Sequence, residues 1–371
     1  MRIAILGTRG IPANYGGFET FAEECAARLA ARGHEVTVYG RSRYVPRHLR
    51  SYRGATVVVL PTLPLKYTDT VVHTFLSALH ALPRSFDVIL ICNSANSIFA
   101  WLPRLSGTKV VVNVDGLERL RRKWNRLGRS WYRLSEYFST WFPHEIVTDA
   151  RCIERYYMER YGARSVFIPY GTTAERPDSD AQLRKLGLVP RDYFLYVSRL
   201  EPENNAHQVV QAFERVTTSK RLVIVGDAPY SRNYIRELKR TCDTRALFTG
   251  AIYGDGYRQL MANAFCYIHA TEVGGSHPAL IEAMGQANLI VANSTPENEE
   301  VLGGCGVFYA RNDIDDLAAC LQGIIDHPDH YSGFGPAART RALSEFTWES
   351  VVDRYEHLFE HLVARGLSNR R

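Results

Sequence analysis

The sequence predicts an α/β protein made of two doubly wound domains, each built on a parallel sheet. Three observations lead to this expectation. Apolar runs typical of buried strands alternate with amphipathic helical segments along the chain. Each half contains a loop that ends in paired glycines close to a helix start, Gly16-Gly17 in the first half and Gly274-Gly275 in the second. The 371 residues also exceed one ordinary domain.

The composition is that of a soluble globular protein, with 46% apolar and 23% charged residues. No apolar run approaches the roughly 18 residues of a membrane span, and no signal peptide is visible, so we expect a cytoplasmic protein. The seven cysteines are scattered and form no C-x-x-C pair. This favours reduced thiols and argues against a disulfide framework or a zinc site. The net charge of +6 is modest.

The most informative stretch is 264–285, AFCYIHATEVGGSHPALIEAMG. Phe265 to His269 reads as a buried strand, Gly274-Gly275 as a turn, Ser276 as an N-cap and Ala279 to Met284 as a helix. A strand, a glycine turn and a helix start form a site for an anion such as phosphate. Glu282, near the start of that helix, would hold the vicinal hydroxyls of a ribose, which together with a phosphate indicates a nucleotide. The alternative is an ordinary βα turn.

The N-terminal segment forms a second unit of the same kind. Arg2 to Leu6 reads as a strand, Gly7 to Gly17 as a loop and Phe18 to Arg32 as a helix. The loop lacks the G-x-G-x-x-G fingerprint, which argues against a nicotinamide cofactor. Its final pair, Gly16 and Gly17, predicts a second phosphate cradle at a helix start. Two cradles, one in each half, suggest a ligand held in a cleft between two domains.

Four segments, GTRGIPANYGGFETFAEE, NVDGLERLRRKW, SRLEPENN and EVGGSHPALIEAM, resemble the bacterial rhamnosyltransferase-type branch of glycosyltransferase family 4. The resemblance implies the GT-B fold, in which two Rossmann-like domains face each other across a cleft and a C-terminal helix crosses back to the first domain. It also implies a nucleotide-sugar donor, transfer with retention, and no metal or other cofactor. The implied domains are 1–172 on the acceptor side, 173–345 for the nucleotide sugar, and a crossover helix and tail over 346–371.

Three residues are expected to carry the chemistry, Asp115, Arg199 and Glu272. Asp115 follows the strand Val110 to Val114, where a carboxylate can accept the proton of an acceptor hydroxyl or orient the sugar; an Asp-Gly turn is the alternative. Arg199, after the strand Tyr193 to Val197, is expected to grip the donor diphosphate with its fork of N–H donors. An exposed surface arginine is the alternative. Relatives place a Lys where Asn204 stands, which leaves Arg199 and the helix amides with more of the phosphate charge.

The sugar-binding loop departs from its relatives, which space two glutamates by seven residues. Gly274 stands eight positions before Glu282, and the nearest acidic residue, Glu272, stands ten before it. Either the loop is remodelled so that Glu272 still touches the sugar, which we favour, or backbone amides and His277 hold it. Relatives stack the nucleobase near Gly250 to Tyr253. The residues expected at the donor are Gly16, Gly17, Arg199, Gly250, Tyr253, Gly274, Gly275, Ser276, His277, Ala279, Leu280 and Glu282.

Acceptor contacts are expected from Asn93, Asn96 and Glu118, because open α/β sheets place ligands at the carboxyl ends of their strands. Asn93 and Asn96 also suit a loop-capping role. The run Arg119 to Arg133 carries seven basic residues interleaved with Trp and Tyr and no acidic residue. A solvated basic helix explains it, but so does docking on an anionic inner membrane face near a polyprenyl-diphosphate-linked saccharide. Nucleic acid ranks well below, since no stacking motif is present.

Asp178-Ser-Asp180 matches the metal-binding D-x-D pattern of another transferase fold. Its position ahead of a helical segment favours an N-cap instead, so we predict no metal. The resemblance implies transfer of rhamnose from dTDP-rhamnose to a saccharide acceptor in bacterial surface polysaccharide synthesis. The acceptor is expected to be linked to a lipid. The alternatives are a nucleotide-sugar epimerase of the same architecture and a non-catalytic polysaccharide-assembly scaffold.

Overall fold

The computed structural model describes residues 1–14, 16–63 and 68–368, with 366–368 described by their backbone alone. Tyr15 in the predicted N-terminal loop and residues 369–371 of the predicted tail lie outside the described residues. The chain divides into two compact units, Met1–Gly171 with Trp348–Arg371, and Thr172–Thr347.

The first unit is built on a sheet of eight strands in the order β3-β4-β2-β1-β5-β6-β7-β8. All pairings are parallel except the antiparallel pair of β3 and β4. The strands are β1 (Arg2–Leu6), β2 (Glu35–Arg41), β3 (Ser51–Tyr52), β4 (Ala55–Leu60), β5 (Val88–Cys92), β6 (Lys109–Val114), β7 (Glu145–Thr148) and β8 (Val166–Phe167). The central strand β5 is a continuous apolar run, buried along its whole length, as expected of a strand covered on both faces.

The helices that connect these strands bury one apolar stripe each. Along the first of them Phe21, Cys25 and Leu29 recur at the spacing of one helix face and are fully or almost fully buried. The helices are α1 (Gly17–Ala31), α2 (Asp69–Ala81), α3 (Trp101–Arg104), α4 (Arg126–Ser139) and α5 (Arg151–Tyr161). Short 3₁₀ helices cover Leu82–Arg84, Ser94–Phe99 and Glu118–Leu120.

The second unit is built on a sheet of six parallel strands in the order β11-β10-β9-β12-β13-β14. The strands are β9 (Tyr193–Val197), β10 (Arg221–Val225), β11 (Ala246–Gly250), β12 (Cys266–His269), β13 (Leu289–Asn293) and β14 (Val307–Tyr309). The core on one face combines Phe194 and Tyr196 of β9 with Val209 and Phe213 of the following helix. The α/β architecture of two doubly wound, Rossmann-like units is confirmed.

The helices of the second unit are α6 (Ala181–Lys185), α7 (Ala206–Phe213), α8 (Arg232–Leu238), α9 (Gly254–Asn263), α10 (Pro278–Gly285), α11 (Pro296–Leu302), α12 (Ile314–Asp326) and α13 (Phe334–Glu345). Short 3₁₀ helices cover Pro202–Asn204 and Pro328–Tyr331. The helical segment predicted after Asp180 is α6. Its N-cap position is Asp180, but the carboxylate accepts no capping bond there. It pairs with Arg184 at 2.7 Å instead, while the Ser179 hydroxyl accepts from Ala181 N at 3.2 Å.

The last helix, α14 (Trp348–Ser368), belongs to the first unit and packs on α1. Tyr355 lies with its ring centroid 5.2 Å from that of Phe21, and its hydroxyl accepts from Asn113 Nδ2 at 2.6 Å. At the surface, Arg32 of the α1 C-cap pairs with Asp353 at 2.7 Å. The sequence predicts this helix only to about Leu362, whereas its backbone remains helical to Ser368.

Candidate active site

Each sheet contains a point where the strand order reverses, and ligands of doubly wound sheets bind at the carboxyl ends of the strands there. In the first unit this point lies between β1 and β5, and in the second between β9 and β12. The loop after β9 carries Arg199, and the loop after β12 carries Glu272 and the Gly274-Gly275 pair. The two loops of the second unit are in contact, since Glu272 N donates to Glu203 O at 3.1 Å. Strand order therefore brings together the residues that the sequence singles out in this half.

The helix start after β12 differs in detail from the prediction. The N-cap position is His277, with Pro278 as the first helical residue, and no side chain caps the helix among the described residues. Ser276, predicted as the cap, is one residue too early and is buried. The Leu280 amide donates to His277 O at 3.0 Å, which excludes that N–H group from phosphate binding. Ala279 lies in the first turn, where helix amides point out of the helix end.

The His277 ring lies directly over Gly274. A Cβ on Gly274 would stand 2.2 Å from Cε1 of His277, so the glycine provides the space that this ring occupies. The ring centroid of His277 is also 4.7 Å from that of His269, which is buried at the end of β12. His277 therefore closes over the turn that the sequence predicts as the sugar-binding loop.

Glu272 has a basic neighbour that sequence reasoning missed. Its Oε1 lies 3.6 Å from Nη2 of Arg311, which follows β14. The Glu272 side chain is mostly buried and that of Arg311 is half exposed. The sequence signal that could have indicated this pair is a basic residue just after a later parallel strand of the same sheet. The carboxyl ends of parallel strands share one edge of a sheet. The pair holds the Glu272 carboxylate at the loop between β12 and α10.

Glu282 is also engaged within the second unit. The Tyr257 hydroxyl of α9 donates a hydrogen bond to Oε2 of Glu282. Burial, followed by the charge of Glu282, raises the pKa of Tyr257 well above its ordinary value. The phenol therefore remains a neutral donor. Nothing in the local sequence pattern links Tyr257 to Glu282, which follows 25 residues later.

Arg199 sits in a loop that is held through its backbone. The Arg199 carbonyl accepts from Glu201 N at 2.7 Å and from Asn204 Nδ2 at 2.6 Å. Asn204, which stands where relatives place a Lys, thus has a structural role in this chain. The neighbouring Ser198 carbonyl approaches Gly226 so closely that a Cβ there would lie 1.8 Å from it. The guanidinium is partly exposed at the end of β9.

Four asparagines fix the end of β12, immediately before Glu272. They are Asn205, Asn293, Asn298 and Asn312. Nδ2 of Asn205 donates to Ala270 O at 3.0 Å, and Nδ2 of Asn298 donates to Thr271 O at 3.3 Å. Oδ1 of Asn312 accepts from both Asn205 and Asn293, at 2.9 and 3.0 Å. Side-chain amides, which both donate and accept, can in this way link four loops at one sheet edge.

The predicted nucleobase segment follows β11. Gly250 has a φ of 75°, and its carbonyl accepts from Gly226 N at 2.9 Å. Tyr253 occupies the N-cap position of α9 and exposes 46% of its surface. An exposed ring on a turn stabilised by a neighbouring strand is suited to stacking on a planar base.

In the first unit, carboxylates of α1 hold the loop that follows β1. Glu19 accepts from Arg9 N at 2.9 Å, and Glu23 accepts from Ala13 N at 2.7 Å. Gly16 is the N-cap residue of α1 and Gly17 its first residue, without a side-chain cap among the described residues. A Cβ on Gly16 would lie 3.5 Å from Glu19 Oε2, so a carboxylate borders the predicted phosphate cradle.

Asp115 is half-buried at the end of β6, near Tyr170 and Cys92. Burial raises the pKa of Tyr170 well above its ordinary value, and the Asp115 charge adds to this shift. Glu118, three residues later, is buried and ion-paired with Arg121. Its carboxylate therefore holds the segment after β6, and its predicted acceptor contact stays untested.

The two asparagines after β5 serve the loop itself. Oδ1 of Asn93 accepts from Ala95 N at 2.9 Å, while Asn93 adopts a φ of 74°. Asn96 is fully buried, and its Nδ2 donates to Cys92 O at 2.8 Å. The loop-capping alternative therefore describes both residues, and their contact with an acceptor stays a prediction.

Two family models match the chain. A glycosyl transferase 4-like domain matches residues 16–171, and the glycosyl transferases group 1 domain matches residues 191–327. The chain is a GT-B glycosyltransferase of the family 4 type. The match does not extend to the rhamnosyltransferase branch, which stays a prediction.

The glycosyltransferase is also similar to curated and solved proteins. It is 23% identical over 177 residues to the O-antigen chain mannosyltransferase B of Escherichia coli, covering 46% of each chain. It is 24% identical over 228 residues to the GDP-mannose-dependent monoacylated alpha-(1-6)-phosphatidylinositol monomannoside mannosyltransferase of Corynebacterium glutamicum, covering 56% of this chain and 59% of that protein. The glycosyltransferase thus matches about half the length of these curated relatives.

Two solved structures show the same fold over nearly all of the chain. Sucrose-phosphate synthase from Thermosynechococcus elongatus matches with a TM-score of 0.82 at 17% identity, covering 98% of this chain and 99% of that one. Anabaena HepE in complex with UDP-glucose matches with a TM-score of 0.78 at 18% identity, covering 100% of both chains. At these identities the likeness concerns the fold.

The glycosyltransferase contains two buried histidines that predict acid sensitivity. Burial lowers the pKa of His73 in α2 to about 4 and that of His269 in β12 to about 3. Below pH 6.5 the two histidines bind protons in the unfolded chain but stay neutral in the folded chain. The free energy of unfolding therefore falls as the pH falls. Between pH 6.5 and 5 we expect each to lower the free energy of unfolding by about 1.6 kcal/mol.

Urea unfolding measured from pH 7.5 to 5 tests this expectation. Replacing His73 with Gln or His269 with Asn should flatten the pH dependence for the unit that contains the residue, by about 0.8 kcal/mol per pH unit averaged over this range. The absolute stability of each variant does not enter, because only the slope is compared. Unchanged slopes in both variants would contradict the prediction.

Proposed function

We propose that this glycosyltransferase moves a sugar from a nucleotide-sugar donor to a saccharide acceptor. The proposed sugar is L-rhamnose and the proposed donor is dTDP-rhamnose. The observation that carries the proposal is the strand reversal between β9 and β12, which places Arg199, Glu272 and the start of α10 at one sheet edge. Helix amides and a guanidinium are the groups that stabilise the charge of a leaving diphosphate. Glu282 in α10 provides the carboxylate for the pentose.

In the proposed reaction, an acceptor hydroxyl oxygen forms a bond to the anomeric carbon while the bond from that carbon to the diphosphate oxygen breaks. The hydroxyl proton leaves to a base, and Asp115 of the first unit is the candidate for this role or for orienting the sugar. The retained anomeric configuration and independence of metal come from the family resemblance. The names of the mannosyltransferase relatives and of the UDP-glucose complex support a nucleotide-sugar donor.

A nucleotide panel tests the donor. Thermal unfolding should be measured with dTDP, UDP, GDP and ADP in the presence of EDTA, since a ligand that binds the native state raises the melting temperature. Stabilisation by dTDP above the others supports the proposed donor. Preference for GDP or UDP would keep the transferase and remove rhamnose, and no shift with any nucleotide would contradict the donor site. Donor hydrolysis that persists unchanged in Asp115→Ala would remove the proposed role of Asp115.

We propose further that the acceptor is carried on a polyprenyl diphosphate and that α4 docks the enzyme at the inner membrane face. No helix of the described chain is long and apolar enough to span a membrane. One face of α4 packs on the 3₁₀ helix Ser94–Phe99, where Nε1 of Trp131 donates to Ala95 O at 3.2 Å. The predicted basic run is thus divided among the 3₁₀ helix Glu118–Leu120, the connecting residues 121–125 and the first half of α4.

The outer face of α4 is apolar and bordered by arginines. Leu127 and Leu134 lie in α4 and Trp141 just past its end, each seven residues after the one before. They expose 75%, 44% and 65% of their surface. Tyr137 lies beside them and is also exposed. The adjacent arginines Arg126, Arg129 and Arg133 are exposed as well. An apolar ridge next to a basic stripe matches the boundary between acyl chains and anionic headgroups.

Membrane binding is expected to depend on this basic stripe. Replacing Arg126, Arg129 and Arg133 with Gln should weaken binding to vesicles of phosphatidylglycerol and phosphatidylethanolamine in equal parts. The expected loss is about a hundredfold, because each basic residue near an anionic surface contributes about 1 kcal/mol. Cosedimentation across a range of vesicle concentrations measures the effect.

The matched control replaces Arg184, Arg215 and Arg240 with Gln. These are exposed arginines of the second unit, so the net charge changes equally. If both triple variants lost binding to the same extent, net charge alone would explain it. If neither lost binding, the docking proposal would be wrong.

A further inference from the structure

Two arginines at the start of the predicted basic run do not belong to the basic stripe of α4. Arg119 exposes 20% of its side chain and pairs with Glu136 of α4, with Nε 3.2 Å from Oε2. Arg121 is buried and pairs with Glu118. Membrane docking therefore does not explain these two arginines.

Glu136 is a buried carboxylate that receives three hydrogen bonds on one oxygen. Besides Nε of Arg119, the hydroxyls of Tyr156 and Tyr161 donate to Oε2, at 3.1 and 3.2 Å. Nη2 of Arg119 also donates to the Tyr156 hydroxyl at 2.9 Å. Glu136 itself is 1% exposed, and its Oε1 has no hydrogen-bond partner within the described chain. Since a buried carboxylate is stable only with such donors, the network fixes both charged groups in place.

This network joins three elements of the first unit. Arg119 lies in the 3₁₀ helix Glu118–Leu120, Glu136 in α4 and the two tyrosines in α5. α4 is anchored in turn on the loop after β5, where Ala95 O accepts from Ser135 Oγ at 3.4 Å. The 3₁₀ helix is short and weakly stabilised by its own hydrogen bonds, and the network attaches it to two longer helices.

Asp115 lies directly before this 3₁₀ helix. It follows the end of β6, and Gly116, with a φ of 59°, stands between it and the helix. A residue between a strand and a helix takes its position from the elements on both sides. On one side β6 is fixed by its pairing with β5 and β7. On the other side Arg119 attaches the 3₁₀ helix to α4 and α5 through Glu136 and Tyr156.

We propose that Glu136 is a positioning residue for sugar transfer, which holds Asp115 in place through Arg119. The inference rests on the proposed function, in which Asp115 accepts the proton of the acceptor hydroxyl or orients the sugar. Glu136 acts through Arg119 and contacts neither substrate in this proposal. It therefore affects the rate of the reaction and not the binding of the nucleotide, which the second unit provides.

The experiment measures hydrolysis of dTDP-rhamnose with water as the acceptor, or of UDP-glucose or GDP-mannose if the nucleotide panel selects UDP or GDP. Glu136→Gln keeps the shape of the side chain and removes its charge. It is expected to lower kcat about tenfold to a hundredfold, because a displacement of about 1 Å near the reacting groups has an effect of this size. The Kd of the nucleoside diphosphate should stay unchanged. In an Asp115→Ala background, Glu136→Gln should cause no further loss, since its effect passes through Asp115.

Glu159→Gln is the matched control, since it makes the same change at an exposed position of α5 and should leave kcat unchanged. If Glu136→Gln does not fold, the double variant Arg119→Gln and Glu136→Gln takes its place, because it leaves no unpaired charge in the network. It replaces the ion pair with a weaker contact between two amides, so a loss of kcat in the same range is expected.

Hydrogen exchange measured by mass spectrometry tests the cause of the loss. The backbone bonds of the 3₁₀ helix run from Leu120 N to Leu117 O and from Arg121 N to Glu118 O. In Glu136→Gln these bonds should open more often and their amides should exchange faster, while the amides of β5 stay protected. Unchanged exchange in this segment overturns the inference.

Two kinetic results also overturn it. One is a kcat that Glu136→Gln leaves unchanged, and the other is a further loss in the Asp115→Ala background. The proposed function survives these results. If Asp115→Ala itself leaves hydrolysis unchanged, the role proposed for Asp115 fails and the inference fails with it.

Discussion

Gly7→Ala is expected to lower the free energy of unfolding of the first unit by about 4 kcal/mol or more. Gly7 directly follows β1 with a φ of 91°, and a Cβ there would lie 2.3 Å from the Cys92 carbonyl oxygen and 2.9 Å from Asn96 Nδ2. The Cys92 carbonyl belongs to β5, the strand paired with β1, and cannot move without separating the two strands. Urea unfolding followed by circular dichroism measures the loss.

Gly33→Ala separates backbone strain from steric overlap in this prediction. Gly33 follows α1 with a φ of 88°, nearly that of Gly7, but a Cβ there would meet no atom within 4 Å. The backbone strain is therefore the same in both variants, and we expect Gly33→Ala to cost only about 1 kcal/mol. If the two variants lost equal stability, the close approach of β1 and β5 would not be the cause.

Arg199→Ala is expected to reduce the rate of sugar transfer by about a hundredfold to a thousandfold, the usual effect of removing one preorganised group from a developing negative charge. Arg199→Lys should be intermediate, because an ammonium supplies the charge without the fork that matches two phosphate oxygens. Steady-state kinetics with the donor identified by the nucleotide panel measures both kcat and KM.

The fold should survive this change. The Arg199 carbonyl holds the loop through its bonds from Glu201 N and Asn204 Nδ2, and the alanine variant keeps this carbonyl. The melting temperature of Arg199→Ala should therefore remain close to that of the natural chain. Arg215→Ala, an exposed arginine paired with Asp315, is the control and should leave the rate unchanged. An unchanged kcat and KM in Arg199→Ala would remove it from the donor site.

Local patterns predicted the elements of this protein well where the pattern was strong. The strands Arg2–Leu6 and Tyr193–Val197 match the prediction to the residue, because each is a short apolar run of the kind typical of a buried strand. Predictions at the ends of elements were weaker. Ser276 was expected to cap α10, but Pro278 takes the first helical position and makes His277 the cap residue. Proline suits the first helical position because the N–H group that it lacks would have no partner within the helix there.

The sequence by itself determined the α/β class, the two glycine turns at helix starts and the positions of Arg199, Glu272 and Glu282 after or near strand ends. These features depend on residues that are close in the chain. Only the tertiary structure decided which side chains meet. The bond from Tyr257 to Glu282, the pair of Glu272 with Arg311 and the asparagines around Ala270 all depend on β9 lying beside β12 and on β14 following β13. Strand order is set by the packing of the whole unit, and the period of a single segment contains no record of it.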